Sequence, residues 1–163
     1  MSGYPSDLTL KVKLTPRNAR GVLPLSSATE MSLATSSQAW KPLPPGNVEL
    51  NGLPYASWPA TTTGDVTLSW SNRSRASQGP GTLLVAQDTA GTTSPEGTLT
   101  IEVLIAGTVK RTWTGLTGTS QVYTLAQRTA DDPDLSKMVQ FRITPVNGSY
   151  QGTIRTTPPF VMG

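Results

Sequence analysis

The residues of this sequence that could do chemistry are limited by two absences. The 163 residues include no histidine and no cysteine. Histidine is the commonest general base and metal ligand, and cysteine supplies thiolate nucleophiles and disulfides. A Ser-His-Asp or Cys-His mechanism therefore cannot be built from this chain alone. Glu96 and Glu102 remain as candidates for the carboxylate pair of a glycoside hydrolase. We predict a non-enzymatic protein with no catalytic residue and no cofactor.

A second group of acids comprises Asp131, Asp132 and Asp134, with Pro133 between the last two. Calcium takes several oxygen ligands, and its known loop spaces them around a glycine. The order D-D-P-D has neither the spacing nor the glycine. An Asp-Pro pair is typical of a turn. We therefore predict a solvated turn here and no metal site.

Two arginines, Arg73 and Arg75, follow a tryptophan-containing strand. Successive side chains of a strand point to opposite faces, and Trp70 is predicted to face inward. Asn72 then lies on the inner face, and both arginines lie on the outer face. One interpretation is a cationic patch for an acidic protein neighbour or an anionic surface glycan. The other is a solvated strand edge whose charges resist edge-to-edge aggregation.

Three aromatic residues, Tyr55, Trp58 and Tyr150, fall in predicted loops. Exposed aromatic rings can stack on sugars or fill a pocket on a partner, so these residues are candidate receptor contacts. Alternatively, they close the open ends of the fold. The sequence leaves both interpretations open.

The elements that would position these residues are strands with one buried face. Residues 66–70 (VTLSW) alternate apolar and polar side chains, and so do residues 98–105 and 138–146. The predicted core consists of the inward residues of these strands: Val66, Leu68, Trp70, Ile101, Val103, Val139, Phe141 and Ile143.

The remaining pattern indicates short strands separated by turns rich in glycine and proline. Strands are also predicted at 47–52, 82–86, 109–113, 121–125 and 153–157, the last ending before Pro158-Pro159. No convincing amphipathic helix is present. From about residue 46 onward, this indicates an antiparallel two-sheet sandwich of the fibronectin type III/immunoglobulin-like class.

Three segments follow from the changes in composition. Residues 1–40 contain one alternating strand near residues 8–14 and are interpreted as an extended N-terminal arm or the end of a preceding domain. Residues 41–46 (KPLPPG) form a Pro-rich linker, because proline favours an extended, semi-rigid spacer. Residues 47–163 form the sandwich.

Charge and hydropathy exclude several classes of partner. Only 14% of the residues are charged, and the net charge of +3 includes no run of Lys or Arg, so no nucleic-acid partner is predicted. The amino terminus lacks the pattern of a signal peptide. No stretch approaches the ~18 apolar residues that a membrane span requires.

Two stretches resemble a fibronectin type III domain. The first is 66–70 (VTLSW), where that family places the tryptophan of its second strand. The second is 141–152 (FRITPVNGSYQG), where an alternating late strand leads into a turn containing Val, Asn and Gly. The resemblance covers most of the carboxy-terminal two thirds and implies the same sandwich.

A narrower resemblance is to the late domain of tail-tip hub proteins of long-tailed bacteriophages and gene transfer agents. It rests on the Pro-rich lead-in at 41–50, the arginine strand at 64–75, the hairpin at 101–111 and the segment at 123–131. Asn72 stands where that pattern has the first arginine of a pair. The resemblance implies a structural protein of the virion, at the tail tip or baseplate. Its partners would be other tail-tip subunits in a trimer context and a host-surface glycan or protein receptor.

One alternative stays open for the same residues. A carbohydrate-binding or adhesion module of a secreted protein could be built on the same β-sandwich. Loss of glycan binding on Trp58→Ala would favour that alternative.

Overall fold

The computed structural model describes residues 9–19, 21–34, 40–74 and 95–163. The chain divides into two compact units, Met1–Trp40 and Lys41–Gly163. Arg75 and the strand predicted at 82–86 lie outside the described residues.

The N-terminal unit contains two antiparallel ribbons. Strand β1 (Thr9–Lys13) pairs with β4 (Glu30–Ala34), and β2 (Arg17–Asn18) pairs with β3 (Gly21–Val22). A short 3₁₀ turn at Leu25–Ser27 lies between β3 and β4. The sequence predicts one strand here. It misses β4 because the apolar residues between 21 and 37 show no clear period on their own.

The described residues of the second unit form eleven strands and a short helix. They are listed here in chain order: β5 (Gly46–Leu50), β6 (Leu53–Pro54), β7 (Thr61–Thr62), β8 (Val66–Ser71), β9 (Thr98–Ile105), β10 (Thr108–Leu116), β11 (Ser120–Tyr123), α1 (Leu125–Asp131), β12 (Met138–Asn147), β13 (Tyr150–Gln151), β14 (Arg155–Thr156) and β15 (Phe160–Met162). A 3₁₀ turn at Tyr55–Ser57 lies between β6 and β7.

These strands form two sheets. One has the order β11-β8-β5-β6, and the other has the order β10-β9-β12-β15-β7 with β13 and β14 also paired to β12. All pairs are antiparallel except β15 with β7. Of the seven main strands, the first, second and fifth share one sheet, and the third, fourth, sixth and seventh share the other. Two antiparallel sheets that share their strands in this way form a β-sandwich.

The core lies between the two sheets and is built from alternating residues. All eight residues predicted for it are buried and belong to one cluster: Val66, Leu68, Trp70, Ile101, Val103, Val139, Phe141 and Ile143. The same cluster also contains Val48, Leu50, Leu99 and Ile105, together with Tyr123, Phe160 and Met162 from strands whose inward faces the alternation did not single out. The predicted fold class, an all-β antiparallel sandwich, is thus confirmed.

The helix α1 corrects the expectation that the chain has no helix. Residues 121–125 were predicted to be a strand, but the strand ends at Tyr123 and the helix begins at Leu125. Thr124 accepts a hydrogen bond from the Gln127 backbone, and the Gln127 side chain accepts one from the Thr124 backbone. This reciprocal capping box favours a helix start. With seven residues, the helix is too short to show a clear period.

The carboxy-terminal segment also differs from the prediction. The pair Pro158-Pro159 does not end the sheet, because Phe160–Met162 returns as β15 between β12 and β7. The Gly64 N–H donates to the Gly163 carbonyl at 3.0 Å, and the Gly163 N–H donates to the Thr62 carbonyl at 3.0 Å. β15 is thus an interior strand of its sheet.

The Pro-rich segment belongs to the second unit and is attached to it along its length. Pro42 and Pro45 are buried, and Gly46 already begins β5. The Leu43 N–H donates to the Glu96 carboxylate at 2.9 Å. The Pro42 carbonyl oxygen lies so close to Gly152 that a Cβ at this position would overlap it. Residues 41–46 therefore form part of the sandwich and not a free spacer.

Replacing Gly152 with alanine is expected to lower the free energy of unfolding by about 1–3 kcal/mol, because the new Cβ would overlap the Pro42 carbonyl and the Pro145 ring. Thermal unfolding followed by circular dichroism measures the effect. Gly118→Ala is the matched control, because a Cβ there meets nothing within 4 Å. If both variants unfold at the same temperature, Pro42 does not pack on Gly152.

Candidate functional site

The arginine segment after β8 is only partly described. Asn72 is buried, as its inward parity predicts, and Arg73 is half-buried. Arg75 lies outside the described residues, so the predicted pair cannot be placed as one patch.

The aromatic candidates do not share one environment. Trp58 is half-buried against the core, and its ring meets Phe160 edge-to-face at 6.2 Å and 80°. Tyr150 is half-buried in β13. The Tyr55 backbone begins a 3₁₀ turn, and its side chain lies outside the described part of the structure. Trp58 thus packs as part of the end of the sandwich, which is the second of the two interpretations above.

The two glutamates considered for hydrolysis each have a structural partner. Glu96 accepts the Leu43 N–H, as described above. Glu102 on β9 lies opposite Arg142 on β12 and accepts its Nε–H at 2.6 Å. Both side chains of the Glu102–Arg142 pair lie on the outer face of their sheet, where they join neighbouring strands.

The hydrogen bond between Glu102 and Arg142 favours the charged form of each side chain. The hydrogen bond from Arg142 lowers the pKa of Glu102, desolvation opposes the shift, and attraction to the guanidinium charge adds to it. The same hydrogen bond raises the pKa of Arg142. The pair therefore stabilises the sheet only while Glu102 is ionised.

Acid is expected to remove this contribution. Because the folded pKa of Glu102 is below its unfolded value, the stabilisation is complete above the unfolded value and is lost as the pH falls through the folded pKa. The difference in unfolding midpoint between the unmodified protein and Arg142→Gln should therefore shrink as the solution is acidified. Urea titrations at neutral and acidic pH test this. A difference that grows in acid would contradict the pairing.

A polar cluster around α1 was not predicted. The Asp131 carboxylate accepts Nε–H and Nη2–H of Arg111, each at 2.8 Å, and the Tyr123 hydroxyl at 2.9 Å. The hydrogen bond to Asp131 raises the pKa of Arg111. Burial, followed by the hydrogen bond to Asp131, raises the pKa of Tyr123. The cluster ties the end of α1 to strands from both sheets.

An irregularity in β10 brings Arg111 into this cluster. The register shifts between Val109 and Arg111, so that Val109 lies opposite Leu104 but Arg111 lies opposite Val103. The extra residue, Lys110, changes which face the following side chains occupy. Trp113 consequently lies opposite Ile101 and packs edge-to-face on Tyr123 at 5.9 Å.

Arg128 organises the chain after the helix. Its side chain is fully buried, and its guanidinium donates to the carbonyls of Asp132, Asp134 and Lys137. The Nη2–H bond to the Asp134 carbonyl is 2.8 Å long. One arginine fork thus donates to three backbone carbonyls, of which that of Asp134 also accepts the Lys137 N–H at 3.3 Å.

The aspartates at 131–134 are not the solvated turn that the sequence predicts. Asp131 is the last residue of α1, and Asp132 is buried and paired with Lys137 at 2.9 Å. The hydrogen bond from Lys137 lowers the pKa of Asp132. Asp134 is exposed, and hydrogen bonds from the hydroxyl and then the backbone of Ser136 lower its pKa. Within the described ranges, no group of three or more acidic side chains is arranged to hold a metal ion.

The sequence contains one signal for this cluster, which overlaps the end of a predicted strand. The T-x-x-Q spacing of Thr124 and Gln127 is a helix start, and Arg128 follows at once. The burial of Arg128 has no such signal, because it depends on carbonyls brought together by the fold.

The N-terminal ribbon exposes apolar side chains. Leu10 and Val12 share one face of β1, with Met31 opposite Val12, and they are 46%, 38% and 49% exposed. Lys11 and Lys13 lie on the other face, and Lys11 pairs with Glu30 at 2.8 Å. In the described part of this unit, Ala28 is the one buried residue. A two-stranded ribbon is marginal in water unless its apolar face packs on something.

The fold and its surfaces define the class of this protein as an antiparallel β-sandwich module preceded by an N-terminal ribbon unit. No family model matches the sequence. No curated protein matches it significantly. Among the residues described, no helix is long and apolar enough to cross a membrane.

Proposed function

We propose that this chain is a non-enzymatic structural component of a bacteriophage tail tip or baseplate. It acts in assembly by binding other tail-tip subunits in a trimer context, and it contributes to attachment at the host surface. The proposed location is therefore the virion.

The resemblance to tail-tip hub domains supports the proposal because its segments coincide with elements of the sandwich. The Pro-rich lead-in packs on the sandwich through Pro42 and continues into β5. The arginine segment begins in β8, and the segment at 101–111 spans the hairpin of β9 and β10. The segment at 123–131 contains the capped helix and Asp131.

The single observation that carries an assembly role is the apolar face of the N-terminal ribbon. Leu10, Val12 and Met31 gain free energy when removed from water, at about 25 cal/mol per Å² of apolar surface. The ribbon has little core of its own with which to cover them. A neighbouring tail-tip subunit that packs on this face would stabilise the ribbon and fix this chain in the assembly.

Incorporation into phage particles tests the proposal. We expect a labelled chain to be found at the tail tip by electron microscopy, and Val12→Glu to lower its incorporation at least about tenfold, since burying an unpaired charge in the contact costs several kcal/mol. Thr9→Glu is the matched control, because Thr9 is exposed and occupies the opposite face of β1. It should incorporate normally.

Two outcomes would overturn the proposal. The first is a chain absent from purified particles or found away from the tail tip. The second is glycan binding by the isolated protein, lost in Trp58→Ala, without affinity for tail proteins. That result would favour the carbohydrate-binding alternative. A gene position beside tail tape-measure and hub genes would support the phage assignment at little cost.

A further inference from the structure

A separate feature of the chain, its asparagines, points to a chemical modification and does not depend on the proposed function. The sequence contains five asparagines, and two of them, Asn51 and Asn147, precede a glycine. Glycine has no Cβ to shield its backbone nitrogen, so this nitrogen can approach the preceding side chain. The two sites have the same local sequence chemistry, and the structure distinguishes them.

Both the side chain and the backbone of Asn51 are held by hydrogen bonds. Its Oδ1 accepts the Thr67 N–H at 2.7 Å, and its own N–H donates to the Thr67 carbonyl at 2.8 Å. These contacts fasten the turn between β5 and β6 to the central strand β8. The carboxamide must release the Thr67 N–H before it can turn toward the nitrogen of Gly52.

Asn147 has no such restraint. It ends β12 and pairs with Tyr150 across a turn formed by the exposed residues Gly148 and Ser149. Its carboxamide makes no hydrogen bond to any residue that the structure describes. The side chain is therefore free to rotate toward the Gly148 nitrogen.

We propose that Asn147 is a site of spontaneous deamidation in the folded protein and that Asn51 is protected. The Gly148 nitrogen loses its proton to hydroxide and attacks Cγ of Asn147. A carbon–nitrogen bond forms and the bond from Cγ to the amide nitrogen breaks. The amide nitrogen takes a proton from water and leaves as ammonia, which regenerates the hydroxide. Water then adds to either carbonyl of the succinimide and opens the ring to aspartate or isoaspartate. The step needs only water.

The modification has a structural consequence at the hairpin. The Val146 carbonyl and the Asn147 α-carbon pack directly on Gly97, which leaves no room for a Cβ there. Isoaspartate adds a methylene to the backbone at this position. It also lengthens the chain between Asn147 and Tyr150, which a two-residue turn keeps in register. Conversion of Asn147 to isoaspartate would therefore weaken the pairing of β12 with β13, the strand that contains Tyr150.

Mass spectrometry of peptides from the full chain tests this. During incubation of the folded protein at mildly alkaline pH, we expect Asn147 to deamidate about tenfold faster than Asn51. That ratio corresponds to about 1.4 kcal/mol, which is of the size of one net hydrogen bond. In urea, where the contacts with Thr67 are absent, the two rates should become similar.

Two controls keep the test specific. Asn147→Gln should remove the signal from its own peptide and leave the rate at Asn51 unchanged. Isoaspartate at Asn147, detected by enzymatic methyl labelling of the aged protein, would show that the reaction passes through the succinimide. Equal rates at the two sites in the folded protein would overturn the proposal, and so would a ratio that persists in urea.

Discussion

With Trp70 replaced by alanine, the free energy of unfolding of the sandwich is expected to fall by about 3–5 kcal/mol. Trp70 is only 4% exposed and lies on β8, the central partner of β5 and β11. The substitution removes buried apolar surface and leaves a cavity in the core between the two sheets. Because a domain of this size has a total stability of about 5–15 kcal/mol, the variant should be near the threshold of folding.

Urea unfolding followed by circular dichroism measures this loss without relying on tryptophan fluorescence. Trp40→Ala is the matched control, since Trp40 is 44% exposed, and it should change stability by less than about 1 kcal/mol. Trp70→Phe should fall between the two. In the described part of the chain the Trp70 Nε1 has no hydrogen-bond partner, so phenylalanine loses volume but no hydrogen bond. An unchanged midpoint for Trp70→Ala would mean that β8 does not organise the core.

Replacing Arg128 with methionine is expected to cost about 2–4 kcal/mol, the second-largest effect. Methionine fills a similar space but removes the guanidinium hydrogen bonds to the carbonyls of Asp132, Asp134 and Lys137. Arg128→Lys should recover only part of the loss, because one ammonium group cannot reproduce a planar fork that spans three acceptors.

Hydrogen exchange localises the effect of this change. The amides of residue 132 and of residues 134–137 should lose protection in Arg128→Met, while those of β9 and β12 follow only the global change in stability. The matched control is Arg155→Met on the half-exposed strand β14, for which we expect a change of less than about 1 kcal/mol. Equal stability of the two variants would show that the buried guanidinium is not what holds residues 132–137.

Strand alternation made the core predictable. Val66, Leu68 and Trp70 on β8, and Ile101 and Val103 on β9, alternate so regularly that a buried face follows directly from period two. The composition, rich in glycine and proline, then favours a sandwich over a helical fold. The predictable part of the structure is the part in which each strand carries its own signal.

The missed features depend on contacts distant in sequence. β15 follows two prolines and has only three residues, so its strand character comes from β12 and β7 on either side. The inward position of Arg111 depends on a bulge in β10, which the sequence of that strand does not mark. The burial of Arg128 depends on carbonyls that converge only after the chain has turned.

The candidate contacts were predicted less well than the core, for a related reason. A loop aromatic such as Trp58 has the same appearance in a sequence whether it faces a ligand or packs on Phe160. Glu102 likewise resembles a catalytic carboxylate until Arg142 is found opposite to it. Side-chain type gives the possible chemistry, and only the neighbours decide which chemistry is used.

The interior position of β15 makes completion of the sandwich a late event during synthesis. β12 leaves the ribosome before Phe160–Met162 and must wait for this strand to join it to β7. A nascent chain released before Phe160 would lack the three residues of β15 and would leave part of β12 open to pairing with other chains. The last strand of the sheet to be synthesised is therefore the one that pairs with Met138 and Val139 of β12.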